Sequence, residues 1–328
     1  MKGGWMDSNS EGMAGAILRT LAYADVFDYP LRLAEMQRYL VGEAVLPDRL
    51  ESALREYILA QNSISQVDGY FTLRGREDLV QVRRLRQRVS AGLWPRAVHY
   101  GRMMSGLPFV RMVAITGALA MGNVAGRVDM DYLVVTRPGR LWACRALVIL
   151  LVRWAGLQGD TLCPNYLVTE EALSISDRNL YTAHELVQMV PLSGLPVYRR
   201  MRLANRWTEA YLPNAVGAPP PMEGITQHMP GVGGYGMRPL WQIAESALGS
   251  PAGDWLERWE MERKIRKLSR GRQAGAEVDF SADWCKGHFD SHGQRTMAAY
   301  EQRLVELGLS GIDQLERVPV KLPVGVPA

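Results

Sequence analysis

Asp129 and Asp131 stand one residue apart at the head of the apolar run DYLVVT. Side chains of a strand alternate between faces, so residues i and i+2 project the same way and these two carboxylates address one point. Like charges that close repel unless a cation lies between them. The cation such a pair suits is Mg²⁺ (or Mn²⁺), a hard ion held by one or two carboxylates and completed by substrate phosphates. Upstream, FVRMVAIT runs into Gly117-Ala118. A glycine at that turn lets backbone N–H groups approach an anion closely. A dicarboxylate opposite a phosphate-cradling turn is a layout for metal-assisted phosphoryl transfer. The plainer alternative is a pair of solvated charges at a strand end.

Other residue clusters carry weaker chemistry. Lys286, His288, Asp290 and His292 are crowded together near the C-terminus. Lys286 suits a phosphate and His288 or His292 a place beside the reacting group, while Gly287 and Gly293 suit a loop that only docks the last helix. His184-Glu185 falls on a helix. It reads equally as a buried helix-end histidine with its neighbour or as part of a site; Gln188 breaks the H-E-x-x-H spacing of a zinc protease. The three cysteines, Cys144, Cys163 and Cys285, are far apart and form no C-x-x-C pair, which argues against a disulfide framework or a zinc cluster and for a reducing, cytoplasmic setting. GVGGYG lacks a preceding strand and the GK[ST] of a phosphate loop.

The elements that must position these residues are legible in outline. The 328-residue chain is long enough for two or three domains. Residues 1–12 read as a disordered tail. Residues 13–90 read as three helices followed by a hairpin turning at Asp68-Gly69, the order of a winged helix. The third of those helices sets Asp48, Glu51 and Glu56 against Arg49 and Arg55, a poor partner for DNA phosphates, so packing or substrate covering is the favoured role. Residues 76–104 form a basic helix kinked or broken at Pro95. Its Arg83, Arg84, Arg86 and Arg88 serve either as a solvated surface or as a positive rim for a triphosphate.

Residues 91–213 read as an α/β unit: two strands flanking the glycine turn, a helix GRLWACRALVILLVRWAG buried on most faces, and a third strand TLCPNYLVT in which Pro164 demands an edge or a bulge. Single helices follow over YTAHELVQMV and VYRRMRLANRWTEAYLPN. Residues 214–238 form a Pro/Gly-rich linker or loop. Residues 239–328 form a helical region, interrupted near Gly249–Gly253 and with a polar loop at DWCKG. There is no internal repeat, signal peptide or membrane-spanning run. A net charge of +4 suits an anionic ligand without arguing for nucleic acid.

Gly117-Ala118 followed by Asp129-Met130-Asp131 on an apolar strand resembles the nucleotidyltransferase superfamily related to DNA polymerase beta. A wider likeness, through GRLWACR, CPNYLV, TAHEL, NRW…LPN and KGHFDSHGQRT, is to bacterial nucleotidyltransferase-domain proteins with an N-terminal winged-helix-like region. The resemblance implies an α/β (α+β) core with a mixed sheet, Gly117 at the nucleotide phosphates, and Asp129 and Asp131 holding Mg²⁺. An acceptor hydroxyl would attack the α-phosphorus of an NTP and pyrophosphate would leave. Three positions depart from the pattern. Ala118 replaces the turn serine, a loss of roughly 1.5–3 kcal/mol if its hydroxyl bonded a charged phosphate. Val128 stands where serine is common. The third carboxylate, expected on TLCPNYLVT, has no clear owner: that strand offers Asn165, with Asp160 before it, Glu170 and Glu171 after it, and Glu185 on the next helix. These departures motivate the alternatives of a nucleotide-binding, regulatory or scaffold module and, third, a winged-helix DNA binder.

Overall fold

The computed structural model describes residues 8–61, 63–126, 129–220, 245–246, 249–270, 278–287 and 292–309. Eleven helices and nine strands lie among them. The first unit is α1 (Ser8–Asp25), β1 (Leu31–Arg32), α2 (Leu33–Arg38), α3 (Pro47–Gln61), β2 (Ile64–Val67) and β3 (Tyr70–Leu73). The hairpin turns at Asp68-Gly69 as its sequence requires, and β1 joins it to give a three-stranded antiparallel sheet in the order β1-β3-β2. This unit has its own core, in which Ile17, Met36, Leu40, Leu50 and Leu54 are almost fully buried. Helix α1 begins at Ser8, inside the segment expected to be disordered.

The second sheet is mixed and has six strands in the order β7-β4-β5-β6-β9-β8. Its members are β4 (Val110–Ile115), β5 (Asp129–Thr136), β6 (Thr161–Thr169), β7 (Val190–Ser193), β8 (Val278–Phe280) and β9 (Trp284–Gly287). β5 and β6 are parallel and the remaining pairs antiparallel. Period-two alternation divides the sheet between two cores. Val113, Ile115, Met130, Tyr132 and Val134 pack with α4 (Leu79–Ser105) and α6 (Leu141–Leu157). Met112, Ala114, Leu133 and Val135 pack with α7 (Leu180–Gln188), α8 (Leu195–Ala204), Tyr23 of α1, and the last helix, α11 (His292–Glu306). Asp129 and Asp131 share the parity of Leu133 and Val135, and so belong to the face shared with α1 and α7.

Several expectations need correction. Helix α4 runs through Pro95 unbroken. Pro95 and Ala91, whose carbonyl it deprives of a partner, are both exposed, so water can satisfy that group. The segment after Gln188 is the edge strand β7, where Pro191 is tolerated because one side of the strand needs no ladder bonds. VYRRMRLANRWTEAY is two helices, α8 and α9 (Thr208–Tyr211), broken at Asn205. The segment expected as a polar loop at DWCKG is a strand, β9, which extends the sheet beyond β6. Helix α6 is buried on one side only: Leu150, Trp154 and Leu157 are exposed. Helix α10 (Pro251–Arg270) packs against it, and the buried Glu257 accepts hydrogen bonds at 2.7 Å from the backbone amides of Trp142 and Ala143, capping α6 from outside.

Candidate functional site

The aspartate pair is set by the junction of β4 and β5. The Thr116 amide donates to the carbonyl of Asp131 at 3.0 Å, and the chain then turns through Gly117 at φ 63° into the single turn α5 (Gly117–Ala120). A Cβ at Gly117 would lie 2.6 Å from Asp131 Oδ2. Both the backbone conformation and the space therefore require glycine, and the turn presses directly on the carboxylate. The far end of the loop is tied to the first unit. Tyr29 Oη lies 2.9 Å from the Met121 carbonyl, to which Arg83 Nη1 also donates at 2.9 Å. Arg83, 2% exposed, pairs with Glu35 at 2.7 Å and lies over the Tyr29 ring. It is thus a buried tie, neither solvated nor a triphosphate rim.

Across the ladder, Asp131 faces Cys163 and Tyr132 faces Pro164, but Leu133 faces Tyr166. Asn165 is the extra residue of a β-bulge, which re-aims its side chain. Its Nδ2 donates to Asp131 Oδ1 at 2.7 Å, while the Cys163 thiol donates to its Oδ1 at 2.6 Å. Pro164 thus sits in an interior strand at a bulge, one of its two expected settings. Burial pushes the Asp131 carboxyl up to about 6 despite the Asn165 hydrogen bond, and the Asp129 charge adds to the rise. Burial, reinforced by both aspartates, pushes the Cys163 thiol to about 12 and keeps it protonated. Among the described residues, Asp129 Oδ1 is buried without a hydrogen-bond partner. An orphaned carboxylate oxygen beside a second carboxylate is the chemistry of a cation site.

These groups open into a half-open cavity of about 670 Å³ between the sheet, α1, α7 and α11. Gly117, Ala118, Asp129, Asp131, Glu185 and His292 all line it, so most of the expected site converges. Tyr23, Phe27, Tyr29 and Tyr39 of the first unit form the opposite wall. Burial pushes the Glu185 carboxyl up to about 7, with Asp131 adding to the rise. His184 is 4% exposed, and burial lowers its pKa to about 4. It is therefore neutral. Its Nδ1 lies 3.0 Å from the Leu180 carbonyl, which fixes the proton there, and its ring stacks on Tyr23 at 3.9 Å.

A second cavity, about 260 Å³, adjoins the first and shares Asn165, Tyr181, Glu185 and His292 with it. Lys286 lines this smaller chamber and pairs with Asp177 at 3.0 Å. Asp160 takes no part: Tyr100 donates to it at 2.7 Å and Arg96 pairs with it at 2.7 Å, which turns its carboxylate toward α4. His288 and Asp290 lie outside the described residues, as does Val128. Among the described residues, no three His, Cys, Asp or Glu side chains form a ready-made metal cage. The expected Mg²⁺ residues therefore amount to a pair, Asp129 and Asp131, with Glu185 a separate acid of the same cavity. Sequence reasoning missed the roles of Asn165, Cys163 and the first unit's Tyr23, Tyr29 and Tyr39; the sequence trace was the demand of Pro164 for an edge or a bulge.

No protein-family model, curated protein or solved structure matches the chain. No described helix is long and apolar enough to cross a membrane. The site combines two carboxylates pressed by a glycine turn, an acid raised toward neutrality by burial, and a half-open chamber walled in part by aromatic rings. Such a site can hold a divalent ion against an anionic ligand and accept a proton near pH 7.

Proposed function

We propose that this protein is a Mg²⁺-dependent nucleotidyltransferase that moves a nucleoside monophosphate from an NTP to a hydroxyl acceptor. The observation that carries the reading is the close approach of the Gly117 turn to Asp131, which puts the turn's backbone beside a paired-carboxylate site lining a large cavity. Asp129 and Asp131 would hold the ion, and Asn165 orients Asp131 by its hydrogen bond. An Mg²⁺ (or Mn²⁺) ion held by this pair would offset triphosphate charge and polarise the α-phosphorus. The acceptor oxygen bonds to that phosphorus, the bond to the bridging oxygen breaks, and pyrophosphate leaves. Glu185, titrating near neutrality, receives the hydroxyl proton. The first unit, in this reading a winged-helix-like module, walls the cavity with Tyr23, Phe27, Tyr29 and Tyr39 in place of reading DNA.

The decisive experiment incubates the protein with labelled NTPs, Mg²⁺ and cell extract beside an Asp129→Asn/Asp131→Asn variant. Label transfer by the parent alone is expected; equal transfer by both would remove the aspartates from the mechanism. A second reading, nucleotide binding without turnover, is favoured by one observation: the group bonded to Asp131 from β6 is the carboxamide of Asn165 and not a third carboxylate. Calorimetry with ATP, CTP, GTP and UTP in Mg²⁺ separates the two, since tight binding without label transfer identifies a sensor.

A further inference from the structure

The face of the mixed sheet turned away from the cavity is covered by α4, α6 and α10. Along α6, Leu150, Arg153, Trp154 and Leu157 follow the spacing i, i+3, i+4, i+7 and so share one side of the helix. That side faces solvent: Leu150 is 59%, Trp154 43% and Leu157 84% exposed. Single exposed leucines are ordinary, but an aligned stripe two turns long with a tryptophan inside it marks a surface that meets something apolar. Helix α10, packed against α6, adds Trp255 and Trp259, both exposed and stacked with ring centroids 6.3 Å apart. The exposed tryptophans among the described residues are these three.

The charge of this face selects what it meets. Helix α6 carries Arg145 and Arg153 and no Asp or Glu, and its neighbour α4 has no acidic residue either. On α10, Arg258 is exposed between the two tryptophans, while the exposed acids among its described residues are paired, Asp254 with Arg140 at 2.6 Å and Glu262 with Arg266 at 4.0 Å. Indole rings at head-group level, leucines at the acyl boundary and arginines reaching for phosphate are the layout of a helix lying on an anionic bilayer. A second copy of the chain fits less well. Arg153 lies at the middle of the stripe, so a two-fold contact of α6 with itself sets like charges together with no carboxylate of that helix between them. A nucleic-acid strand could stack on the tryptophans but would leave Leu150 and Leu157 against sugar and phosphate. The inner side of α6, with Trp142, Val148 and Leu151, is buried in the protein core, so the helix rests on a bilayer and does not span it.

We propose that the outer face of α6 and α10 is a peripheral docking surface for an anionic phospholipid bilayer, with Leu150, Trp154 and Leu157 at the acyl boundary and Arg153 and Arg258 on lipid phosphates. The cavity lies on the other face of the sheet, so a docked molecule keeps it in water. Docking here is independent of whichever reaction the cavity supports.

The test is co-sedimentation of the full chain with vesicles of phosphatidylcholine alone and of phosphatidylcholine mixed equally with phosphatidylglycerol. Affinity for the anionic vesicles is expected to be about tenfold or more higher, and to fall as NaCl is raised. Leu150→Ser/Trp154→Ser/Leu157→Ser and, separately, Arg153→Glu should each lower it about tenfold; thermal melts verify that both are folded. Lipids brominated on the acyl chain should quench the tryptophan fluorescence of the parent, and quench Trp154→Phe less. Equal affinity for the two vesicle types, binding to neither, or full affinity in the triple variant would overturn the proposal. Dimerisation without lipid that the triple variant abolishes, in place of vesicle binding, would give the face to a second copy. Retention of a single-stranded oligonucleotide in place of vesicles would give it to nucleic acid.

Discussion

At Gly117 two independent demands meet, a left-handed backbone and contact with Asp131 Oδ2. Gly117→Ala is expected to cost about 1–3 kcal/mol in urea denaturation and, by displacing Asp131, to weaken the Mg²⁺ binding proposed for the aspartate pair. Full stability in that variant would show that the turn relaxes freely. The neighbours His184 and Glu185 pull stability in opposite directions with pH. His184 falls from 6.5 to about 4 on folding, so below pH 6.5 the unfolded chain gains a proton that the folded chain refuses, and stability is lost as pH falls toward 4. Glu185 rises from 4.5 to about 7, so its contribution is complete below pH 4.5 and is lost as pH rises through 7. At pH 8, Glu185→Gln should therefore be more stable than the parent by about 1–3 kcal/mol, and at pH 5 His184→Phe should lose less stability than the parent. Urea titrations across this range check both slopes. A Glu185→Gln variant no more stable at pH 8 would mean that the carboxyl is well solvated.

At the scale of elements, what was legible followed the local code. The Asp68-Gly69 hairpin, the strand–turn–strand around Gly117 and the helical character of α1, α3 and α4 came from turn residues and periodicity, signals that act over a few positions. What was not legible depended on partners distant in sequence. β9 is a four-residue run, WCKG, too short to show a strand period in isolation, and becomes a strand because β6 offers it an edge. The run after Gln188 becomes β7 because β4 has a free edge. The break between α8 and α9 is made by one buried residue. Asn205 Oδ1 accepts from the Ile175 amide at 2.8 Å and from the Trp207 indole at 3.1 Å, and its Nδ2 donates to the Leu173 and Met201 carbonyls. No helix-propensity rule announces such a junction. Of the candidate site, the aspartate pair and its glycine were readable from spacing, whereas the meeting of Glu185 and His292 with them depended on how α7 and α11 pack. Asn205→Ala is expected to lower stability by about 2–4 kcal/mol, since it strands several buried groups at once. A loss below about 0.5 kcal/mol would mean that the α8–α9 junction is set by the flanking burial of Met201 and Trp207 instead.

At the scale of the whole molecule, the cavity exists because three separate stretches of chain close on one another. Asp25, at the end of α1 and 7% exposed, joins them. Its Oδ1 accepts from Arg76 Nε at 2.8 Å, just beyond the β2–β3 hairpin, and its Oδ2 accepts from Arg303 Nε of α11 at 2.7 Å. Helix α11 brings His292 and Thr296 to the cavity wall, and α1 brings Tyr23, against which Tyr300 packs edge to face. Asp25→Asn keeps the shape and removes the charge that holds both arginines. Because each arginine is about one-third exposed, the loss should be modest, about 1–3 kcal/mol. The informative readout is local. Amide hydrogen exchange should accelerate along α11 while β4, β5 and β6 keep their protection, and affinity for whatever fills the cavity should fall with it. Uniform acceleration across the sheet would instead mean that α1, the sheet and α11 open as one cooperative unit. In that case the cavity could admit its ligand only through the openings it already has.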